Sequence, residues 1–554
     1  MKSLDRVNFG TADNRVRRDV YPVRIVKCFG NIENAEALLD PKPAQITIDE
    51  PVLTIMKNDG DEEAAIILDY GVELNGGLRI VAFGVEGTDY ANVRVTFGES
   101  VSEALCSIGE KGATNDHTPR DFFATVPAYS DQTVGETGFR FVCIRLKGEK
   151  TALSLKSLNA VFVYNDIEYK GSFCCNDELL NNIYDTAAYT CHLNMQRYIW
   201  DGIKRDRLVW VGDMHPEMLT IKTVFGYHNL MTETIRFARE TTPLPKFMNS
   251  FATYSIWWLR ILWDWYYYGG DKEFLLENKE YALGLIRQLS AYVKLDGSDT
   301  FDFKFLDWPT SISEAGAQGV KGLLASGLMD FAKLANEYGE TELAEECMKK
   351  LNAMRKRKFQ NHGAKQTAAF LALSGLDDAD SSAEMILKGG AKGMSTFMSY
   401  YILTAAAKKS ISGALDMLRE YYGGMLKVGA TSFWEDFNIE WLNNAAPIDD
   451  IVPEGKSDIH GDNGAFCYEG FRHSLCHGWS SGPTAFLAEK VLGIEIAEAG
   501  CKKIKISPNL GDLKWAKGTY PTPLGIITVS HKKEADGSIS TEYTAPEGIE
   551  IELC

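Results

Sequence analysis

The chain has 554 residues, a formal net charge of −18 at pH 7, 45% apolar residues and 24% charged ones. At roughly 100–200 residues per domain, this length predicts three or four domains, or one large domain with satellites. The acidic balance excludes nucleic acid as a partner, because nothing neutralises phosphates in bulk, and the apolar fraction excludes a largely disordered chain.

From the start to about residue 168 the pattern is β. The segment MKSLDRVNFG lacks the apolar stretch of a signal peptide. AAIILDYGVELNGGLRIVAFGVEG has short apolar runs broken by Gly and Asn, and ANVRVTFGES, FRFVCIRLKG and NAVFVYND continue in the same style. Many short strands with Gly turns predict a sandwich. GEKGATNDHTPRDF interrupts them as a polar loop. After GSFCCNDELL the texture changes, and Asn176 or Asp177 is placed to cap a helix whose apolar face is Leu179, Leu180, Ile183 and Ala187. Helical patterns follow for about 315 residues, clearest over 255–268, 274–292, 320–338, 340–358 and 396–408, with turn signals such as YYGGDKEF and NEYGETEL between them. Helices in antiparallel pairs fit an (α/α) barrel; a solenoid of helical pairs is the competing arrangement. From about Cys501 the β texture returns in KKIKISPN, GIITVSHKK and SISTEYTAP, with ADGS as a hairpin turn between the last two.

The eleven cysteines are scattered and no CxxC spacing occurs. This predicts reduced, buried thiols in a cytoplasmic protein, with no zinc or thioredoxin-type motif. No stretch reaches the ~20 apolar residues of a membrane span. No phosphate-binding glycine loop and no GxSxG elbow are present, so nucleotide and simple serine-hydrolase chemistry have no support.

The densest chemistry lies in WDGIKRDRLVWVGDMHPE, residues 200–217. Asp201, Asp206, Asp213 and Glu217 share it with Lys204, Arg205 and Arg207, beside Trp200 and Trp210. Pro216 fits the first turn of a helix, with Asp213 as a possible cap. A loop entering a helix presents such groups to a cleft, where neighbours and burial push the acids' proton affinities apart; a surface ion-pair loop is the plain alternative. A second candidate is VGATSFWEDFN, where Glu435 and Asp436 follow Trp434. An acid beside an indole suits a sugar, and a helix start capped by Thr431 or Ser432 is the alternative. FLDWPTS and HSLCHGWSSGP repeat the pairing in Asp307 with Trp308, and in His477 with Trp479. His473 and His477 stand four apart without a third ligand at sensible spacing, so hydrogen bonding is expected of them and no metal. The aromatic run SIWWLRILWDWYYYGG reads mainly as helix core, with some members available to line a cleft wall.

Together these blocks resemble the bacterial α-L-rhamnosidases of glycoside hydrolase family 78 over roughly residues 60–550. DGIKRDRLVWVGD looks like that family's signature D-C-P-Q-R-x-E-R-L-G-W-x-G-D. WWLRILWDWYYYGGDKEFL, FLDW, TSFWE and GCKKIKISPNLGDLKWAKGTYPTPLGIITV match in order, and GATNDHTPRDF resembles part of its N-terminal β region. The resemblance implies a multidomain α and β chain: an N-terminal β-sandwich over 1–168, an (α/α)6 barrel catalytic domain over 169–497 and a small C-terminal β-sandwich over 498–554. It implies an inverting hydrolase for terminal α-L-rhamnosides with no cofactor and no metal. Asp206 stands at the general acid position, and Glu435 is the best match to the general base. Asp201, Arg205, Trp210, Asp213, Trp308, His477 and Trp479 are implied to hold the sugar. The expected partner is a small rhamnoside or oligosaccharide, with no nucleic acid, no membrane and a homodimer possible. The chain departs from the signature where Asp206 replaces Glu, a loss of roughly 1.5 Å of reach, and where Gly-Ile-Lys replaces Cys-Pro-Gln. That departure keeps two other readings open: a six-hairpin glycosidase for another α-linked sugar, and a non-catalytic carbohydrate-binding barrel.

Overall fold

The computed structural model describes residues 7–8, 10, 12–49, 52–60 and 62–554. Its N-terminal part is a nine-stranded sheet whose paired strands are all antiparallel. The long strand Ala65–Glu86 pairs with Ser130–Lys147 on one side and Ala152–Tyr164 on the other. Alternation assigns its residues to two faces. Ile66, Leu68 and Tyr70 join the main sheet core, while Ile67 packs with Val101, Ala104, Phe141 and Cys143 on the opposite face. Gly76 and Gly77 let neighbouring backbones close in, since a Cβ would sit 1.8 Å from the Val161 carbonyl oxygen at one and 2.3 Å from that of Gly135 at the other. The short helix α1 (Val101–Leu105) leaves this sheet capped by Ser100, which accepts from the Glu103 N–H. It carries Glu103, and with it the neighbouring Glu99, toward the helical part of the molecule.

The helical part begins with α2 (Glu178–Asn194), capped by Asp177, which accepts from Leu179 N–H at 3.0 Å. Then come α3 (Met214–Val224), α4 (Asn229–Thr241), α5 (Ala252–Gly269), α6 (Lys272–Glu277), α7 (Lys279–Ser290) and α8 (Glu314–Glu337). The series ends with α9 (Thr341–Met354), α10 (Lys365–Ser374), α11 (Ala379–Leu387), α12 (Ser399–Ala407), α13 (Ile411–Lys427) and α14 (Pro483–Phe486). Helix α3 packs on α5, α5 on α8, α8 on α10, α10 on α12, α12 on α14, and α14 back on α3. Every residue of α3 is buried, as are nine of the ten in α10, whereas α4, α7 and α13 alternate buried and exposed faces, as helices on the outside of a bundle do.

The C-terminal β region reaches back across the helices. Strand Ser172–Cys175, in the range expected for the barrel, pairs with Trp515–Thr522 in a four-stranded sheet. Ile494–Glu498 opens a second, three-stranded sheet with Lys503–Ile506 and Glu550–Leu553. ADGS forms the turn between Gly525–Lys533 and Ile539–Thr544, with Lys533 opposite Ile539. One apolar core runs without a break from the helices into these sheets, including Phe173, Ile504, Tyr520 and Val529. All eleven cysteines are free thiols. Among the described residues no helix is long and apolar enough to cross a membrane.

Candidate active site

The segment between α2 and α3 has no regular structure, so its side chains are aimed by specific hydrogen bonds. Asp201 N–H donates to the Leu208 carbonyl at 3.1 Å, and Leu208 N–H returns a bond to Asp201 Oδ1 at 2.9 Å. The Asp201 carbonyl accepts from Gly478 N–H at 2.7 Å, which ties this loop to the one that carries His477. Asp206 and Arg207 both have left-handed backbones, φ 60° and 55°. That conformation costs roughly 1–2 kcal/mol per non-glycine residue and turns neighbouring side chains in opposite directions. Arg207 leaves the cleft to bond Glu136 and lie over the Trp200 ring. Asp206 turns into it.

A small cleft of about 70 Å³ opens there. All nine residues that the sequence assigned to a site line it: Asp201, Arg205, Asp206, Trp210, Asp213, Trp308, Glu435, His477 and Trp479. Phe251, Tyr254, Phe305 and Cys467 complete the wall. These four went unnoticed in the sequence; Tyr254 sits one residue before the aromatic run singled out there, whose own tryptophans stay out of the cleft, with Trp257, Trp258 and Trp265 fully buried in the core.

Arg205 joins the two carboxyls of greatest interest. Its Nη1 is 3.2 Å from Asp206 Oδ1 and its Nη2 bonds Glu435 Oε1. Asp206 also accepts from Trp210 Nε1–H at 3.0 Å, and His117 Nδ1, from the N-terminal polar loop, stands 2.9 Å from its Oδ1. Glu435 is fixed by Ser474 N–H on Oε2 at 3.1 Å, while its own N–H donates to the Ser474 carbonyl. Trp479 Nε1–H donates to the Glu435 carbonyl at 2.9 Å, holding that indole as the cleft wall. Residues 431–438 form a loop and not the helix start weighed for them. Asp436 is not among the residues that line the cleft; burial pushes its carboxyl up to about 7.

Below these lie more acids. Asp213 occupies the cap position of α3, yet its helical backbone (φ −67°, ψ −33°) leaves the side chain without a cap bond. It accepts instead from Tyr254 O–H at 2.8 Å. His477 Nε2 stands 3.8 Å from Asp201 and 3.9 Å from both Asp213 and Glu435, spacings that a hydroxyl between them would bridge. Burial pushes Asp201 and Asp213 well above the usual carboxylate range, and nearby acids push the same way. Glu217 is raised likewise by burial, then by Asp213 and Asp201, and neither of its oxygens has a hydrogen-bond partner. Burial holds His477 well below the usual imidazole range, so it is neutral. His473 lies outside the cleft and accepts Asp436 N–H on Nε2. Asp307 bonds Thr310 N–H and Ser395 O–H, which sets the turn that presents Trp308.

One buried cation anchors the loop from behind. Lys204 Nζ lies 2.9 Å from Glu99 and 3.1 Å from Glu103, and donates to the carbonyls of Phe471 and His473 at 3.0 and 2.6 Å. Glu99, Glu103 and the buried His460 have donor atoms close enough to hold a metal ion, but here the ammonium of Lys204 fills the role of cation. Arg120 Nε adds a second buried cation 3.4 Å from Glu103, yet Glu73 and Glu99 remain deeply buried beside it. Burial accordingly pushes Glu99 up to about 7 and Glu73 well above its ordinary range.

A helical domain between β regions, with carboxyls and indoles facing one another across a single cleft, defines the class: a multidomain α and β protein built around an acidic, aromatic-walled pocket. Residues 168–491 match the family described as bacterial alpha-L-rhamnosidase 6 hairpin glycosidase domain, and residues 493–554 the bacterial alpha-L-rhamnosidase C-terminal domain. The first match covers more than half of the chain, and the chain belongs to this family. It is similar to an alpha-L-rhamnosidase of Formosa agariphila, 33% identical over 78 residues, which is 14% of this chain and 8% of that protein. Among solved structures it resembles the GH78 rhamnosidase of Bacillus sp. GL1, with a TM-score of 0.72 at 20% identity over 94% of this chain and 55% of that one. It also resembles the rhamnosidase from Klebsiella oxytoca with rhamnose bound, with a TM-score of 0.67 at 18% identity over 86% of this chain and 96% of that one. The chain thus spans about half the length of the Bacillus relative.

Proposed function

We propose that this protein is an inverting glycoside hydrolase acting on terminal α-L-rhamnosides. The observation that carries the reading is the pair Asp206 and Glu435, facing one cleft from either side of the Arg205 guanidinium. Inversion needs two carboxyls about 6.5–9.5 Å apart, with room for a water beneath the ring. A guanidinium between the two carboxyls keeps them out of mutual contact, which supports that geometry. Asp206 protonates the leaving oxygen and Glu435 takes a proton from the attacking water. The neutral carboxyls of Asp201 and Asp213 donate to sugar hydroxyls, and the neutral His477 between them selects a hydroxyl at the 3.8–3.9 Å spacings. Trp210, Trp308 and Trp479 wall the apolar, methyl-bearing side of a deoxy sugar. The rhamnose bound in the Klebsiella neighbour supports a sugar as the occupant.

The cycle of contacts through α3, α5, α8, α10, α12 and α14 supports an (α/α)6 barrel with these six helices inside. Helices α2, α4, α7, α9, α11 and α13 then lie outside, and a sandwich flanks each end. The test is a panel of p-nitrophenyl glycosides with the product anomer followed by NMR. Release from the α-L-rhamnoside with first formation of the β-anomer is expected. Release from another glycoside alone, or first formation of the α-anomer, overturns the reading.

A further inference from the structure

An inverting hydrolase must reload its acid with a proton in every turnover, and the contacts of Asp206 show where that proton enters. His117 comes from the N-terminal sheet region, on the loop between α1 and the strand Asp121–Pro127, and a left-handed backbone (φ 67°) turns it toward the cleft. Its side chain is 39% exposed, whereas Asp206 is 16% exposed. His117 therefore touches both bulk water and the carboxyl. Its Nδ1 accepts the backbone N–H of Asp206 at 2.6 Å and stands 2.9 Å from Oδ1 of the same residue. With the backbone N–H aimed at Nδ1, that nitrogen carries no proton of its own. Nδ1 has one in-plane lone pair, which that N–H occupies, so the 2.9 Å contact with Oδ1 becomes a hydrogen bond when Nδ1 carries a proton and donates to the carboxylate.

We propose that His117 is the proton relay that recharges Asp206; the inference rests on the hydrolase reading above. After Asp206 has given its proton to the leaving oxygen, Nδ1 of the exposed imidazole releases the Asp206 N–H and takes a proton from solvent. The Nδ1–H bond of the imidazolium then breaks as the Oδ1–H bond of Asp206 forms, and neutral imidazole with its proton on Nε2 remains. The proton that Glu435 takes from water returns to solvent, so hydrolysis consumes none. Imidazole suits the task because its unperturbed proton exchange falls near neutral pH. The titratable and charged groups facing the pair are known. Arg205 lies against Asp206 Oδ1, and Asp201, Asp213 and Cys467 couple to the Asp206 charge from the loop, the start of α3 and the far wall. Glu435 faces it through Arg205. On the His117 side, Asp116 is paired with Arg472 at 3.0 Å.

The test uses the full chain with two rhamnosides of unequal need for an acid. Methyl α-L-rhamnopyranoside has a poor leaving group, and p-nitrophenyl α-L-rhamnopyranoside a good one. His117→Gln keeps an acceptor for the Asp206 N–H but cannot carry a proton, while His117→Ala removes both. Expected for His117→Gln is a loss of roughly 10²-fold in kcat on the methyl glycoside, at the lower end of what general acid help supplies. Little change is expected on the p-nitrophenyl glycoside, with the alkaline limb of the pH profile moved to lower pH. Added imidazole should restore His117→Ala. Equal losses on both substrates with an unchanged pH profile, or no rescue by imidazole, overturn the relay and leave the hydrolase reading standing. A wild-type chain inert toward both rhamnosides overturns the hydrolase reading, and the relay with it.

Discussion

Asp206 and Glu435 differ from their neighbours in what surrounds them, and that difference sets what substitution should do. Both carboxyls lie against Arg205 and open to the cleft. Asp206→Asn and Glu435→Gln keep shape and one of the two accepting oxygens but cannot donate or take the reacting proton. Each is expected to lower kcat by about 10²–10⁴-fold in a chain that still melts cooperatively, measured by steady-state kinetics beside a thermal melt. Glu217 is the opposite case: buried, without a partner for either oxygen and raised by burial and by Asp213 and Asp201. A carboxyl raised in the folded state supports folding only while protonated, so its contribution is present at low pH and is lost as pH rises. Glu217→Gln should therefore stabilise the chain at pH 8 and change little at pH 5, which melts at the two pH values would check; a loss of stability at pH 8 would count against a protonated Glu217. Asp201, Arg205, Asp206, Trp210 and Asp213 were legible because the signature is contiguous and its residue types are unusual together, and Trp308, Glu435, His477 and Trp479 because separate short motifs pair an indole with a polar group. His117 was not legible as a partner of Asp206, since 89 residues separate them and only the folding of the N-terminal loop over the cleft joins them.

At the level of elements, local chemistry was readable where side chains act on their own backbone. Asp177 caps α2 as its position suggests. The single helix expected over 274–292 is instead α6 and α7, because Asn278 Nδ2 donates to the Phe274 carbonyl at 2.8 Å and competes with the helix ladder there. Apolar periodicity alone does not register such a break. The loop 195–213 is the element most dependent on distant partners, and Lys204 is its deepest anchor, at the position where the resembled signature carries Gln. Lys204→Met would strand Glu99 without its counter-charge and leave Glu103 to Arg120 alone, and removal of one partner of a buried pair costs about 3–5 kcal/mol. The loss should grow between pH 5 and 8. Glu99, raised to about 7 from an unfolded value near 4.3, favours folding below about pH 4.3, and this contribution is lost as pH rises through about 7. Denaturant melts across that range test the sign. Adding Glu103→Gln should recover part of the loss, and a double variant no better than Lys204→Met would remove Lys204 from this role.

At the scale of the whole molecule, the cleft sits in the helical domain, yet its acid loop is held from the N-terminal sheet. Glu99 and Glu103 take the Lys204 ammonium, His117 meets Asp206, Glu136 binds Arg207, and Arg140 donates to the Gly429 carbonyl at 3.0 Å near the turn that leads to Glu435. The C-terminal sheets contribute none of the residues that line the cleft; they share the helical core and complete a sheet with Ser172–Cys175. These two attachments predict different failures. A chain beginning at residue 168 keeps α3, α5, α8, α10, α12 and α14, their core and the C-terminal sheets, but exposes Lys204 and frees the loop from Asp201 to Asp213. It should retain a cooperative melt and helical circular dichroism while losing turnover, because reacting groups must be held to about 0.5 Å for full effect. A chain ending at residue 493 strips apolar cover from Phe173 and Leu492 and should fail by aggregation before activity can be read. Turnover near that of the full chain by the first truncation would show that the loop holds its shape alone, and would remove the N-terminal sheet from the working site.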